Sequence, residues 1–210
     1  MQILITAALN EELQPLEKFI NTEFSKEKNV AFSFLKTGLG MKKTRREFSY
    51  TVKKNVYDFV LNIGTAGSLD SRFKIGDIFF ATAFSKLFNN EIITIKNPFA
   101  NFYYIPEDWK RGELFTSLKP VVNRKQTKMV KSLTQSQAVD MEAYAIADIC
   151  LADSIPFFSL KIISDHAEPL SKKEFLNNLH KIQGFLHSAV NIFIKQNLFG
   201  QKKWENNEFI

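Results

Sequence analysis

The sequence predicts an α/β protein: a three-layer αβα arrangement around a mixed, largely parallel central sheet. Two observations carry this expectation. Short, nearly continuous apolar runs, "QILITAA", "YDFVLNIGTAG" and "PFFSLKIISDHAE", read as strands buried on both faces. Amphipathic stretches lie between such runs, and strands alternating with helices argue for a largely parallel sheet covered by helices. With 210 residues and no repeat or low-complexity linker, the expectation is one domain over residues 1–210. Its tail from about 198 to 210 is polar.

Taken in order, "QILITAA" opens as a strand, followed by "LNEELQPLEKFI", where Leu13, Leu16 and Phe19/Ile20 recur at helical spacing. "VAFSFLKTGLG" is a strand ending in a glycine turn, "MKKTRREFSYTVKKN" a helix, and "YDFVLNIGTAG" a strand with a glycine break. "GDIFFATAFSK" is β-rich, and residues 86–110, without a clear period, are expected to form hairpin and loop. "GELFTSLKPVV" is a strand running into a loop at Lys119-Pro120. "QAVDMEAYAIADICLAD" is a strand end and a helix with Ala143, Ile146, Ala147 and Cys150 on one face. After "PFFSLKIISDHAE", Ser171 and Glu174 form a capping box that opens the long helix "KKEFLNNLHKIQGFLHSAVNIFIKQ".

Composition narrows the classes of function. The net charge is +6, but the basic residues are scattered, with no aromatic-interleaved platform, so nucleic acid is not expected as a partner. No apolar run approaches the ~20 residues that span a bilayer, and the first residues lack a signal peptide's basic region. The single cysteine, Cys150, fits a reducing cytoplasm, and 21 phenylalanines suggest a Phe-packed core. The three histidines, His166, His180 and His187, have no metal-ligand spacing, so no metal is expected.

In sheets of this kind ligands sit beyond the carboxyl ends of strands. Four such ends carry polar or glycine-rich residues: "NEE" at 10–12, "GTAG" at 64–67, "VDME" at 139–142 and "ISDHA" at 163–167. Three deliver carboxylates: Glu11 or Glu12, Glu142 with Asp140, and Asp165. Any one of them alone reads more readily as an exposed helix N-terminus, where negative charge is favoured. Their convergence on one edge is what points to a site. "GTAG" reads as a small-residue floor on which a ligand can approach the backbone.

"AALNEEL", "NIGTAGSL…KIGDI", "VDMEAYAIADIC" and "LKIISDHA", in this order and spacing, resemble the purine nucleoside phosphorylase/nucleosidase superfamily. Within it they are most similar to the methylthioadenosine/S-adenosylhomocysteine nucleosidases. The resemblance implies a cofactor-free N-glycosidase acting on a purine nucleoside, working as a cytoplasmic homodimer. It implies that Glu12 activates the attacking water, Glu142 binds the ribose hydroxyls and Met141 lies under the ribose. Asp165 protonates N7 of the purine with Ser164 in support, and Thr65, Ala66 and Gly67 form the floor. Val121 or Val122 stands where these nucleosidases carry a base-stacking Phe, and Lys161 where they usually carry Arg. The chemistry fits these residue types: breaking a C–N glycosidic bond needs an acid for the base, anions for the cationic sugar, and a base for water. Phosphorylases hold phosphate with arginines, where this chain has Glu12 and Asn62, so water is the expected nucleophile. The alternatives are a futalosine-type nucleosidase, a phosphorylase, and a non-catalytic nucleoside-binding protein.

Overall fold

A computed structural model describes residues 1–121, 123–167 and 172–199, without the side chains of 172–176, 179 and 180. Its elements run β1 (Gln2–Ala7), α1 (Asn10–Glu23), β2 (Ala31–Lys36), α2 (Met41–Lys54), β3 (Phe59–Ser68), β4 (Ile78–Phe88), β5 (Glu91–Lys96), β6 (Lys110–Thr116), α3 (Arg124–Leu133), β7 (Ala138–Asp140), α4 (Ala143–Ala152), β8 (Phe157–Asp165) and α5 (Lys172–Ile194), with a π-helical turn at Lys195–Phe199. The segment expected to be hairpin and loop is the β4–β5 hairpin, turned by Asn89 and Asn90 in the left-handed region, followed by a long connection. The capping box at Ser171 and Glu174 and the tail beyond Phe199 lie outside the described residues, as does the side chain of His180.

Helix α3 was not expected from the sequence. Asn123 caps it, accepting a hydrogen bond from the Gln126 amide at 2.9 Å. Its apolar residues, Met129, Val130 and Leu133, are confined to its second half, and only Val130 of them is buried.

The sheet is mixed, as expected, but it is not the open middle layer of a three-layer stack. β3 and β4 are long, and each pairs with three strands. β3 takes β8 on one edge, with β1 and then β7 on the other; β4 pairs with β8, β6 and β5. Because β6 also pairs with β7, the path β3-β8-β4-β6-β7 returns to β3 and closes a ring of strands. β1 with β2, and β5, extend from it. Long twisted strands that ladder with different partners at their two ends curl a sheet in this way. Residue alternation does not reveal such closure, because partner choice is set by distant segments.

Burial on both strand faces is borne out. Ile3, Ile5, Phe59 and Leu61 pack with Leu16 and Ile20 of α1 and with Val190 and Phe193 of α5. The alternate residues Leu4 and Val60 pack with Phe48 of α2 and Ile146 of α4. The phenylalanines do form much of this core; Phe158 alone contacts Phe59, Phe80, Tyr103 and Phe193. No helix among the described residues is long and apolar enough to cross a membrane.

Candidate active site

A cavity of about 400 Å³ opens beyond the carboxyl ends of β1, β6, β7 and β8 and along the last residues of β3. Its lining includes Glu12, Thr65, Ala66, Gly67, Val121, Met141, Glu142, Ser164 and Asp165, so the residues singled out in the sequence converge. Val122 lies outside the described residues.

Glu12 enters from the first turn of α1. Its Oε2 accepts the Leu9 amide at 3.1 Å, and its Oε1 accepts the Thr65 amide at 3.0 Å and the Thr65 hydroxyl at 3.2 Å. Glu11, one residue earlier, is exposed. The Glu12 carboxylate lies against Gly64: a Cβ there would sit 2.9 Å from Oε1, on a residue whose φ is +139°. Burial raises the pKa of Glu12, opposed by the Lys161 ammonium and by the hydrogen bonds to Leu9 and Thr65.

Asp165 is aimed by an irregularity in the β3–β8 ladder. Ala66 pairs with Ile163, but Gly67 pairs with Asp165, so the register skips Ser164. Ser164 and Asp165 therefore both line the cavity instead of alternating across the sheet. Asp165 Oδ2 accepts the Ser164 hydroxyl and Oδ1 the Ala167 amide, both at 2.7 Å. A Cβ on Gly67 would lie 2.9 Å from Asp165 Oδ1. Thr65, Ala66 and Gly67 line the cavity, and at Gly64 and Gly67 the space left by the missing side chain also holds the protein's own carboxylates.

Glu142 precedes α4. Its Oε1 accepts the amide of Gly40 at 2.7 Å, the residue that starts α2 with φ +88°. Burial, and then the negative charges of Asp140 and Glu12, push its pKa up to about 7 against the pull of Lys161 and the Gly40 amide. Asp140 has both carboxylate oxygens engaged. Its Oδ2 takes the Ala143 amide at 2.9 Å and Lys161 Nζ at 3.2 Å, and its Oδ1 takes the Thr116 hydroxyl at 2.7 Å. Lys161 is 2% exposed and is the single cationic side chain among the described lining residues. In the sequence Lys161 stands out as a departure from the nucleosidase pattern, and nothing local ties it to Asp140.

Apolar side chains of Leu9, Leu39, Pro120, Val121 and Val139 make up much of the rest of the lining, beside Ser117, with no aromatic side chain among the described lining residues. Asn62 stays out of the cavity, where its amide bonds Thr6 Oγ1 at 3.2 Å and accepts Ser159 Oγ at 3.1 Å inside the sheet. Arg45, Arg46 and Arg72 are engaged elsewhere with Asp148, Glu47 and Asp70. His166 is exposed outside the lining, and His187 stacks on Phe19. Among the described residues no cluster of side chains is arranged to hold a metal ion.

No family model matches the chain. It is 26% identical to a 5'-methylthioadenosine/S-adenosylhomocysteine nucleosidase of Buchnera aphidicola from Acyrthosiphon pisum, over 93% of this chain and 98% of that protein. It is 24% identical to an aminodeoxyfutalosine nucleosidase of Campylobacter jejuni, over 83% of this chain and 90% of that one. In three dimensions it is similar to the inhibitor-bound Helicobacter pylori 5'-methylthioadenosine/S-adenosylhomocysteine nucleosidase. The TM-score is 0.79 at 19% identity, covering 93% of this chain and 98% of the other.

Proposed function

We propose that this chain, which belongs to the nucleoside phosphorylase/nucleosidase superfamily, is a purine nucleosidase that hydrolyses 5'-methylthioadenosine or S-adenosylhomocysteine to free base and ribosyl product. The observation that carries this reading is three carboxylates, Glu12, Glu142 and Asp165, gathered in one cavity whose described lining contains no arginine to hold phosphate.

In this mechanism the purine lies along Thr65, Ala66 and Gly67 beside Val121, with the ribose over Met141. The Glu142 oxygen not bound to Gly40 accepts the ribose 2'- and 3'-hydroxyls. Asp165, steered by Ser164 and Ala167, gives a proton to N7 as the C1'–N9 bond breaks and its electron pair moves into the base. Water attacks C1' as Glu12 accepts its proton, and burial, which raises the pKa of Glu12, makes its carboxylate a stronger base. The negative lining stabilises the cationic sugar. The same proposal has one domain over residues 1–210 and a cytoplasmic homodimer, with a second copy covering the mouth at Leu39, which is 59% exposed.

A panel of methylthioadenosine, S-adenosylhomocysteine, aminodeoxyfutalosine and inosine, assayed with and without phosphate, tests the reading by chromatography of the free base. Adenine release from the first two without phosphate is expected. Strict phosphate dependence makes the protein a phosphorylase, and tight binding without release makes it a binding protein. Glu12→Gln should abolish hydrolysis while nucleoside affinity holds, whereas the exposed Glu11→Gln should be nearly silent.

A further inference from the structure

We propose that α5 positions the two reacting carboxylates through two side-chain amides, Gln183 and Asn178; the assignment of Glu12 and Asp165 to hydrolysis is the premise. In an α-helix the carbonyl of residue i accepts the amide of residue i+4. Position 15 of α1 is proline, which has no N–H, so the Glu11 carbonyl loses that donor. Gln183 Nε2 supplies one from α5, at 2.6 Å. The bond falls on the peptide that leads into Glu12, within the turn that aims its carboxylate at Thr65.

The second amide does the corresponding work at the other end. Asn178 Nδ2 donates to the Ser164 carbonyl at 3.0 Å. Ser164 is the residue that the β3–β8 register skips, and its peptide leads into Asp165. One helix therefore holds the backbone just ahead of both carboxylates. Asn178 and Gln183 stand about 7.5 Å apart along the axis, enough for one helix to reach two separate elements. The helix is itself fixed, with Ile182, Leu186, Ala189, Val190 and Phe193 buried in the core it shares with α1 and β8. Catalytic groups are placed best by supports that cannot shift, and small misplacements lower rates steeply.

The proline supplies the test. Gln183→Ala should lower kcat about tenfold to a hundredfold with little change in KM, because the base moves while the nucleoside contacts stay. Gln183→Glu should not rescue it, since an ionised carboxylate cannot donate to a carbonyl. Pro15→Ala restores the intrahelical donor to Glu11, so adding it to Gln183→Ala should return kcat towards the wild-type value. Asn178→Ala should also lower kcat, and Pro15→Ala should not help it. A role confined to stability would leave the kcat of folded Gln183→Ala protein unchanged, and that result overturns the proposal. So does a folded double variant whose kcat stays low. Amide hydrogen exchange separates this from the premise. Exchange should quicken at Thr65 in Gln183→Ala and at Ala167 in Asn178→Ala, whether or not the wild type releases base. Wild-type protein that releases no base from any nucleoside, yet shows this pattern, removes the hydrolase reading and keeps the positioning. Unchanged exchange at both amides in the two variants removes the positioning.

Discussion

The wall of the cavity has a polar and an apolar part, interleaved along the chain. In the polar part, Glu12, Asp140, Glu142 and Asp165 each accept at least one backbone amide, and Lys161 sits among them. In the apolar part, Leu9, Leu39, Pro120, Val121 and Val139 bring apolar side chains to the lining. The polar part holds its groups in one arrangement before substrate arrives, which is what electrostatic catalysis needs. The apolar part sets shape alone, and shape discriminates ligands weakly. Changes in the polar part should act on kcat, and changes in the apolar part on KM and on the choice of base.

Beside Glu12→Gln, the largest effect should come from Asp165→Asn, whose amide cannot deliver the proton. Turnover is expected to fall about 10²- to 10⁴-fold or more with nucleoside affinity kept, as read by steady-state kinetics beside calorimetry. Normal turnover would break the contrast at once.

Next comes the cost of the polar part to the empty protein. Glu142, raised from 4.5 to about 7, keeps its proton in the folded state over a range where the unfolded chain has lost it. Its contribution to stability is full below pH 4.5, declines as pH rises towards 7 and is flat above. The decline is about 3 kcal/mol for this group. Urea unfolding from pH 4.5 to 8 should show it, and Glu142→Gln should flatten the slope; an unchanged slope puts the burial cost elsewhere.

Gly67→Ala sharpens the comparison further, because it adds one methyl where the floor meets Asp165. The new Cβ would stand 2.9 Å from Oδ1 and 3.3 Å from Val139 Cγ1, with no left-handed φ to strain the backbone. About a tenfold loss of kcat is expected in protein with near-native circular dichroism. The smallest effect belongs to the apolar part. Val121→Ala removes apolar contact from a half-buried position, so KM should rise about threefold to tenfold with kcat unchanged. A kcat loss as large as that of Gly67→Ala would erase the distinction between the two parts.

Much of the polar part was legible in the sequence. "NEEL", "VDMEA" and "IISD" each end a strand or open a helix, and the turn chemistry that aims Glu12 at the Leu9 amide is local. Helix α3 was harder to see. The spacing of Asn123 and Gln126 holds its cap, but its apolar stripe is only Met129, Val130 and Leu133, two of them exposed. The reading of "GTAG" found the right place, since Thr65, Ala66 and Gly67 line the cavity. That Gly64 and Gly67 also make room for Glu12 and Asp165 was not legible, because which atoms fill the space above a glycine depends on chain far from it.

By itself the sequence determined most of the strands and helices, though not α3, that the inner strands would be buried on both faces, and which strand ends deliver carboxylates to one edge. These follow from burial periods and turn preferences that act over a few neighbouring residues. Only the tertiary structure decided that the strands close into a ring and that Gly64 and Gly67 make room for Glu12 and Asp165. It alone gave Lys161 to Asp140 and laid Gln183 on the carbonyl that Pro15 leaves without a donor. Those pairings join residues up to 172 positions apart. They depend on how whole elements pack, and no local pattern encodes the partner on the far side.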